Sequence, residues 1–181
     1  MNQFDIILVG AGSAGCIVAN KLSKNKNLKI LILEAGPKNY HPMIKIPLGY
    51  GMTFYNKSIN WKFYTSPQLY LNNRKLYCPR GKVVGGSGSI NAMVYTRGFP
   101  SDFQNWTYDD SSLWSWKKIR KTYEKMEKKI ILKDNNTTKS KIVVNNVSSQ
   151  HHSILNNYFL GAKELNIPII DSFNASKSEG V

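Results

Sequence analysis

Phe4-Asp5-Ile6-Ile7-Leu8-Val9-Gly10-Ala11-Gly12-Ser13-Ala14-Gly15 opens this chain, and Lys29-Ile30-Leu31-Ile32-Leu33-Glu34 follows it. An apolar run ends in G-x-G-x-x-G, a helical stretch comes next, and a second apolar run ends in an acid. Ile6 to Val9 show no polar alternation, which predicts a buried parallel strand. Gly10 permits the tight turn out of that strand. Gly12, without a side chain, lets the backbone approach a pyrophosphate, and Gly15 lets the next helix pack close. That helix is expected over Ser13 to Ser23, with Ile17, Val18 and Leu22 facing the sheet and its N-terminal amides turned to phosphate. Glu34 stands nineteen residues past Gly15, near the usual spacing of about 20 for an acid that accepts ribose hydroxyls. A carboxylate there repels a 2′-phosphate. The block therefore predicts a dinucleotide site and leaves FAD and NAD both open.

The chain has 181 residues and 41% hydrophobic residues, enough for a globular core. No apolar run approaches the roughly 20 residues of a membrane helix. Asp5 sits within the first residues, unlike a signal or transit peptide. Cys16 and Cys78 are far apart, with no metal-ligand spacing; Cys16 reads as a small hydrophobe against the sheet, and the setting as reducing and cytoplasmic. The net charge of +14 comes mostly from lysines scattered among asparagines. Nucleic-acid binders cluster Arg and Lys on one face, so no nucleic-acid partner is expected.

Residues 37–80 carry many aromatics and prolines and little periodicity, which reads either as a cover over a ligand or as an irregular packed insertion. Residues 81–91 form a second glycine-serine loop, able to close backbone amides on a ligand or to act as a plain turn. Residues 114–130 predict an amphipathic helix with Ser115 at its N-cap and Trp116, Ile119, Tyr123, Met126 and Ile130 along one face. Residues 133–148 read as an exposed polar connection. A helix is expected over 151–166, with Ile154, Leu155, Phe159, Ala162 and Leu165 on one face. His151 and His152 point apart there and suit a surface better than a metal; no metal site is expected.

Taken together these residues resemble the glucose–methanol–choline (GMC) oxidoreductases, in particular choline dehydrogenase-like and alcohol dehydrogenase-like members. Trp61-Lys62-Phe63-Tyr64-Thr65-Ser66-Pro67-Gln68 with Leu71-Asn72-Asn73-Arg74 is similar to that family's W-x-[YF]-x-T-x-P-Q … L-x-x-R pattern. Pro79 to Gly98 is similar to its first signature, with Gly88 where a serine is usual. The likeness continues through Trp106, Trp114-Ser115-Trp116, Ala162 to Pro168 and Glu179-Gly180-Val181.

The resemblance implies an α/β fold: an FAD-binding Rossmann-type βαβ core, an irregular flavin-covering segment, and the incomplete beginning of a substrate-binding domain. Residues 1–110 would form the FAD-binding segment, made of the βαβ unit 4–36, the cover 37–80 and the flavin loop 81–98. Residues 111–181 would begin the substrate-binding part. The implied cofactor set is Gly10, Gly12, Ser13, Ala14, Gly15, Glu34, Ala35, Val84, Gly85, Asn91, Ala92, Met93 and Val94, the last four with Val84 along the flavin. Tyr77-Cys78-Pro79-Arg80 offers no histidine before the Gly-Gly pair, so FAD should be noncovalent. The implied activity is oxidation of a small-molecule alcohol with hydride transfer to flavin N5. The family's catalytic histidine lies near the C-terminus of a chain about three times longer, and His41, His151 and His152 do not match its motif. The expectation is therefore an N-terminal fragment that supplies the FAD-binding part and no catalytic residue. The alternative is a non-catalytic remnant that binds FAD weakly or not at all.

Overall fold

The computed structural model describes residues 3–106, 112–129, 142–144, 147, 150–170, 172–174 and 179–181. The chain divides into two compact units, Met1–Val94 and Tyr95–Val181. The boundary falls inside the segment 1–110 expected to bind cofactor.

The first unit begins with the expected βαβ element. Strand β1 (Ile6–Val9), helix α1 (Ser13–Leu22) and strand β2 (Ile30–Leu33) follow in order. β1 and β2 pair in parallel, in register from Ile6 opposite Ile30 to Val9 opposite Leu33. Parallel pairing requires a crossover, which α1 supplies, so the fold class is α/β with an incomplete Rossmann-type unit. Asp5 fixes the open end: its carboxylate accepts the Lys29 N–H at 2.7 Å.

Two expectations about burial need correction. β1 is not buried on both faces: Ile7 is exposed and Val9 is 87% exposed. A two-stranded sheet with one covering helix shields one face, and among the described residues no third strand pairs with β1 or β2. Ile17 and Val18 likewise stay exposed, and α1 turns Gly15, Ala19 and Leu22 inward instead. Cys16 is also exposed, and its thiol donates to the Ala11 carbonyl at 3.3 Å.

Residues 37–80 wind through short elements: α2 (Pro42–Lys45), a 3-10 turn Pro47–Gly49, α3 (Tyr50–Thr53), and a small antiparallel pair, β3 (Phe63–Tyr64) with β4 (Tyr77–Cys78). The densest core lies here and not beneath the sheet. Ile59, Val83 and Ile90 bury one another, with Ile44 packed against them. The segment is thus a packed insertion closed on the second glycine loop, whose centre is the 3-10 turn Gly86–Ser89.

In the second unit, α4 (Pro100–Gln104) starts where Asp102 accepts the Phe99 N–H, and α5 (Trp116–Met126) follows. Phe103 stacks on Trp116 and meets Trp106 edge-on. Ser115 holds the N-cap position of α5 as expected, but its buried hydroxyl caps nothing and has no hydrogen-bond partner among the described residues. The helix ends at Met126, earlier than expected, because Glu127–Lys129 turns extended as β5 and pairs in parallel with β6 (Ile142–Val144). β6 falls in the stretch expected to be an exposed connection; the rest of 133–148, and Ile130, lie almost wholly outside the described residues. α6 (Leu155–Glu164) forms, yet of its apolar stripe only Ala162 is buried and Phe159 half-buried. No described helix is long and apolar enough to cross a membrane.

Candidate functional site

The two glycine loops, far apart in sequence, meet in the first unit. Gly10 leaves β1 at φ +95°, a backbone that a side chain would strain, and its N–H donates to the Leu33 carbonyl at 2.7 Å. At Gly15 a Cβ would lie 2.1 Å from the Gly10 carbonyl oxygen, so the first turn of α1 closes directly on the strand exit. Gly12 differs from both. A Cβ there would meet only the Gly86 Cα, at 4.0 Å and in ordinary van der Waals contact, so the two loops lie backbone to backbone. Gly86, at φ +58°, is excluded from carrying a Cβ by the same approach, which would bring it to 2.9 Å from the Gly12 Cα.

Ala11 is the knot of this arrangement. Its N–H donates to Glu34 Oε2 at 2.7 Å, and its carbonyl accepts the Gly85 N–H at 2.7 Å. Glu34 Oε1 accepts the Gly36 N–H at 2.9 Å. The carboxylate at the end of β2 therefore holds the first loop in place, and a β-bridge between Gly12 and Gly85 joins the second loop to it. Neither Ala11, buried at 6% exposure, nor Gly86 was singled out from sequence. For Gly86 the signal was the Gly-Gly pair. For Ala11 there was none, since both of its ties are main-chain. The N-terminus of α1 stays free of side-chain caps, with no acid in its first turn. The amides of Ser13, Ala14 and Gly15 thus keep the donors that helix starts leave unsatisfied.

Past the second loop, Ser89 Oγ donates to the Val84 carbonyl, and the Val84 N–H donates to the Pro37 carbonyl. Asn91 and Met93 border a pocket of about 190 Å³ with Gly88, Ser89 and, from the covering segment, Met43, Ile46 and Tyr50. Met93 adopts φ 61°, and its N–H donates to the Asn91 side-chain oxygen at 2.9 Å. Ala35, Ala92 and Val94 are exposed. Of the expected set, the structure brings Gly10, Gly12, Gly15, Glu34 and Gly85 into one cradle and puts Asn91 and Met93 in a neighbouring pocket.

The second unit holds a different constellation that sequence reading did not anticipate. Arg97 pairs with Glu127 through two hydrogen bonds, Nε to Oε1 at 2.8 Å and Nη2 to Oε2. Glu127 is buried and Arg97 half-buried, their side chains 6% and 13% exposed. Tyr95 donates to the same carboxylate at 2.6 Å, and Asn174 ties both Tyr95 and Arg97 through their backbone. Burial, reinforced by the bond to Glu127, pushes the Tyr95 hydroxyl well above the usual tyrosine range. The bond to Glu127 likewise raises Arg97. Of the histidines, His41 caps α2 through the Met43 N–H and meets Asn56, while His152 accepts the Ile154 N–H.

The sequence model of the GMC oxidoreductases matches residues 4–181. The chain is 38% identical over 181 residues to the alcohol dehydrogenase [acceptor] of Pseudomonas putida, covering 99% of this chain and 33% of that enzyme. It is 38% identical over 125 residues to the oxygen-dependent choline dehydrogenase of Rhizobium etli, covering 69% of this chain and 23% of that enzyme. Its backbone superposes on pyridoxine 4-oxidase from Mesorbium loti with a TM-score of 0.84 at 27% identity, over 98% of this chain and 35% of the oxidase. The chain thus spans about a third of the length of these proteins, and over that span it belongs to the GMC oxidoreductase family.

Proposed function

We propose that this chain supplies the FAD-binding part of an oxidoreductase that acts on the CH–OH group of a small-molecule alcohol. The observation that supports the proposal is the uncapped start of α1, where Gly12, bare of a side chain, lies beside the second glycine loop. A pyrophosphate fits there: bare backbone allows close approach, and free amides with the helix dipole favour the negative charge. Glu34 spends one acceptor position of each oxygen on Ala11 and Gly36, and the remaining lone pairs suit ribose hydroxyls. Val84 and Asn91 to Val94 would border the flavin, with Met43, Ile46 and Tyr50 excluding water from its side. Bound there noncovalently, FAD supplies a hydride acceptor at N5.

The residues that take the alcohol proton are assigned to the two thirds of the relatives that this chain does not cover. His41 and His152 already serve as local caps, and no residue here is assigned as catalytic base. Residues 1–110 are proposed as the cofactor segment, 111–181 as the start of the substrate-binding part, and the cytoplasm as the compartment.

Purification of the chain and its visible spectrum test this reading. A retained flavin, released into solution by acid precipitation, is expected, and Gly12→Val should abolish it. Equal retention in Gly12→Val would refute the start of α1 as the site. The exposed apolar face of β1 favours a second reading, in which the chain alone retains no flavin. A colourless product that takes up no added FAD would select it.

A further inference from the structure

The first unit carries a second concave site, made of residues that the cofactor proposal leaves unused. Lys57, Asn60, Trp61, Lys62, Tyr64 and Lys82 line an open pocket of about 420 Å³, and none of them belongs to the glycine cradle. Three features set it apart from an ordinary solvated lysine surface.

First, its floor is fixed. Asn60 is 2% exposed. Its amide donates to the Phe54 carbonyl at 2.8 Å, and its oxygen accepts the N–H groups of Lys62 and Arg80 at 2.9 and 3.1 Å. The Trp61 N–H donates to the Arg80 carbonyl, and the Lys82 N–H to the Ile59 carbonyl. These bonds clamp 59–62 against 80–82.

Second, the clamp holds Lys62 at φ 56°, a backbone that a side chain rarely adopts. Such conformations persist where the surroundings over-determine them, and they gather at ligand sites. Third, among the described residues these cations have no carboxylate partner. The Lys82 ammonium rests over the Trp61 ring at 4.8 Å, and the described ion pairs include none of the three lysines. The only acids among residues 1–94 are Asp5 and Glu34, both engaged elsewhere.

From this we infer a binding site for a small molecule bearing two or more phosphate charges. Three lysines lining one pocket, with no arginine among the lining residues, suit a tetrahedral oxyanion met by point charges better than a carboxylate met by a fork. The volume admits a polyphosphate or a phosphate ester. The inference is independent of the cofactor reading, since it uses other residues.

Calorimetric titration of the full chain with inorganic tripolyphosphate, at fixed ionic strength, tests it. Saturable binding is expected, weakened at least tenfold in the combined variant Lys57→Ala, Lys62→Gly, Lys82→Ala. Lys62→Gly alone should fold at least as well as the parent, because glycine accepts that φ, and should weaken binding by itself. A control that removes the same charge elsewhere, Lys21→Ala, Lys24→Ala, Lys26→Ala, should bind as the parent does. Equal loss in that control would overturn the site. So would undiminished binding in the first variant, loss of tripolyphosphate binding in Gly12→Val, or binding only to phosphatidic acid in vesicles and none to free tripolyphosphate.

Discussion

The two units hold their central features together by opposite means. In the first, the cradle is chiefly main chain against main chain, Gly15 on Gly10, Gly86 on Gly12 and the Gly85 amide on the Ala11 carbonyl, with the Glu34 carboxylate accepting the Ala11 N–H. In the second, the centre is side chain against side chain, with Glu127 gathering Arg97 and Tyr95. The main-chain cradle leaves the start of α1 without a side-chain cap. A side-chain cluster consumes its own hydrogen-bonding capacity and leaves structure as its product. Substitutions should therefore separate binding from stability in the first unit, whereas in the second they should act on stability.

The largest effect should come from Glu127→Ala. Removing one partner leaves the half-buried Arg97 charge unpaired, which costs about 3 kcal/mol, the low end for a buried pair, readable as a shifted urea midpoint. Gly15→Ala comes next. Its Cβ would strike the Gly10 carbonyl, and forcing the strand exit from α1 should cost about 1–3 kcal/mol, with flavin retention lost alongside. Tyr95→Phe removes a bond to a charged acceptor, about 1.5 kcal/mol at neutral pH. The sign of its pH dependence follows from the raised hydroxyl. The contribution of Tyr95 is full below the unfolded value of about 10 and is lost as pH rises toward the higher folded value. Thermal melts should show the parent losing its advantage over Tyr95→Phe above pH about 10. A constant gap would break this account.

Gly12→Ala sharpens the comparison from the other side. With 4.0 Å to its nearest neighbour the new methyl strikes nothing, so stability should change by under about 1 kcal/mol while flavin retention falls. A matched loss of both would mean that Gly12 is structural, like Gly15. Smallest is Arg120→Ala, which removes the exposed pair with Glu124 and should cost only about 0.2–0.5 kcal/mol in the same melts.

What could be read from the chain in advance tracks the same division. β1, α1 and β2 lie where the glycine spacing and apolar runs put them, because strand, turn and helix start are local events. The exposure of Val9, Ile17 and Val18 was not legible, since burial depends on what covers a face and the residues themselves do not say. Ala11 carries no chemical signal. Its role comes from Glu34 and Gly85, which only the fold brings near. Arg97 and Glu127 were each visible, but nothing in their thirty-residue separation announces a pair. β6 escaped because three apolar residues in a polar stretch are too short a pattern to stand out.

The tie between Ala11 and Gly85 also has a temporal side. A ribosome delivers β1, the first glycine turn and the whole of α1 well before Gly85 exists. Until then the Ala11 carbonyl has no Gly85 amide to meet, and Gly12 has no Gly86 to lie against. Non-local closures of this kind are made late, after the chain between them has been fixed. During synthesis, then, the uncapped start of α1 emerges well before residues 85 and 86 arrive to face it.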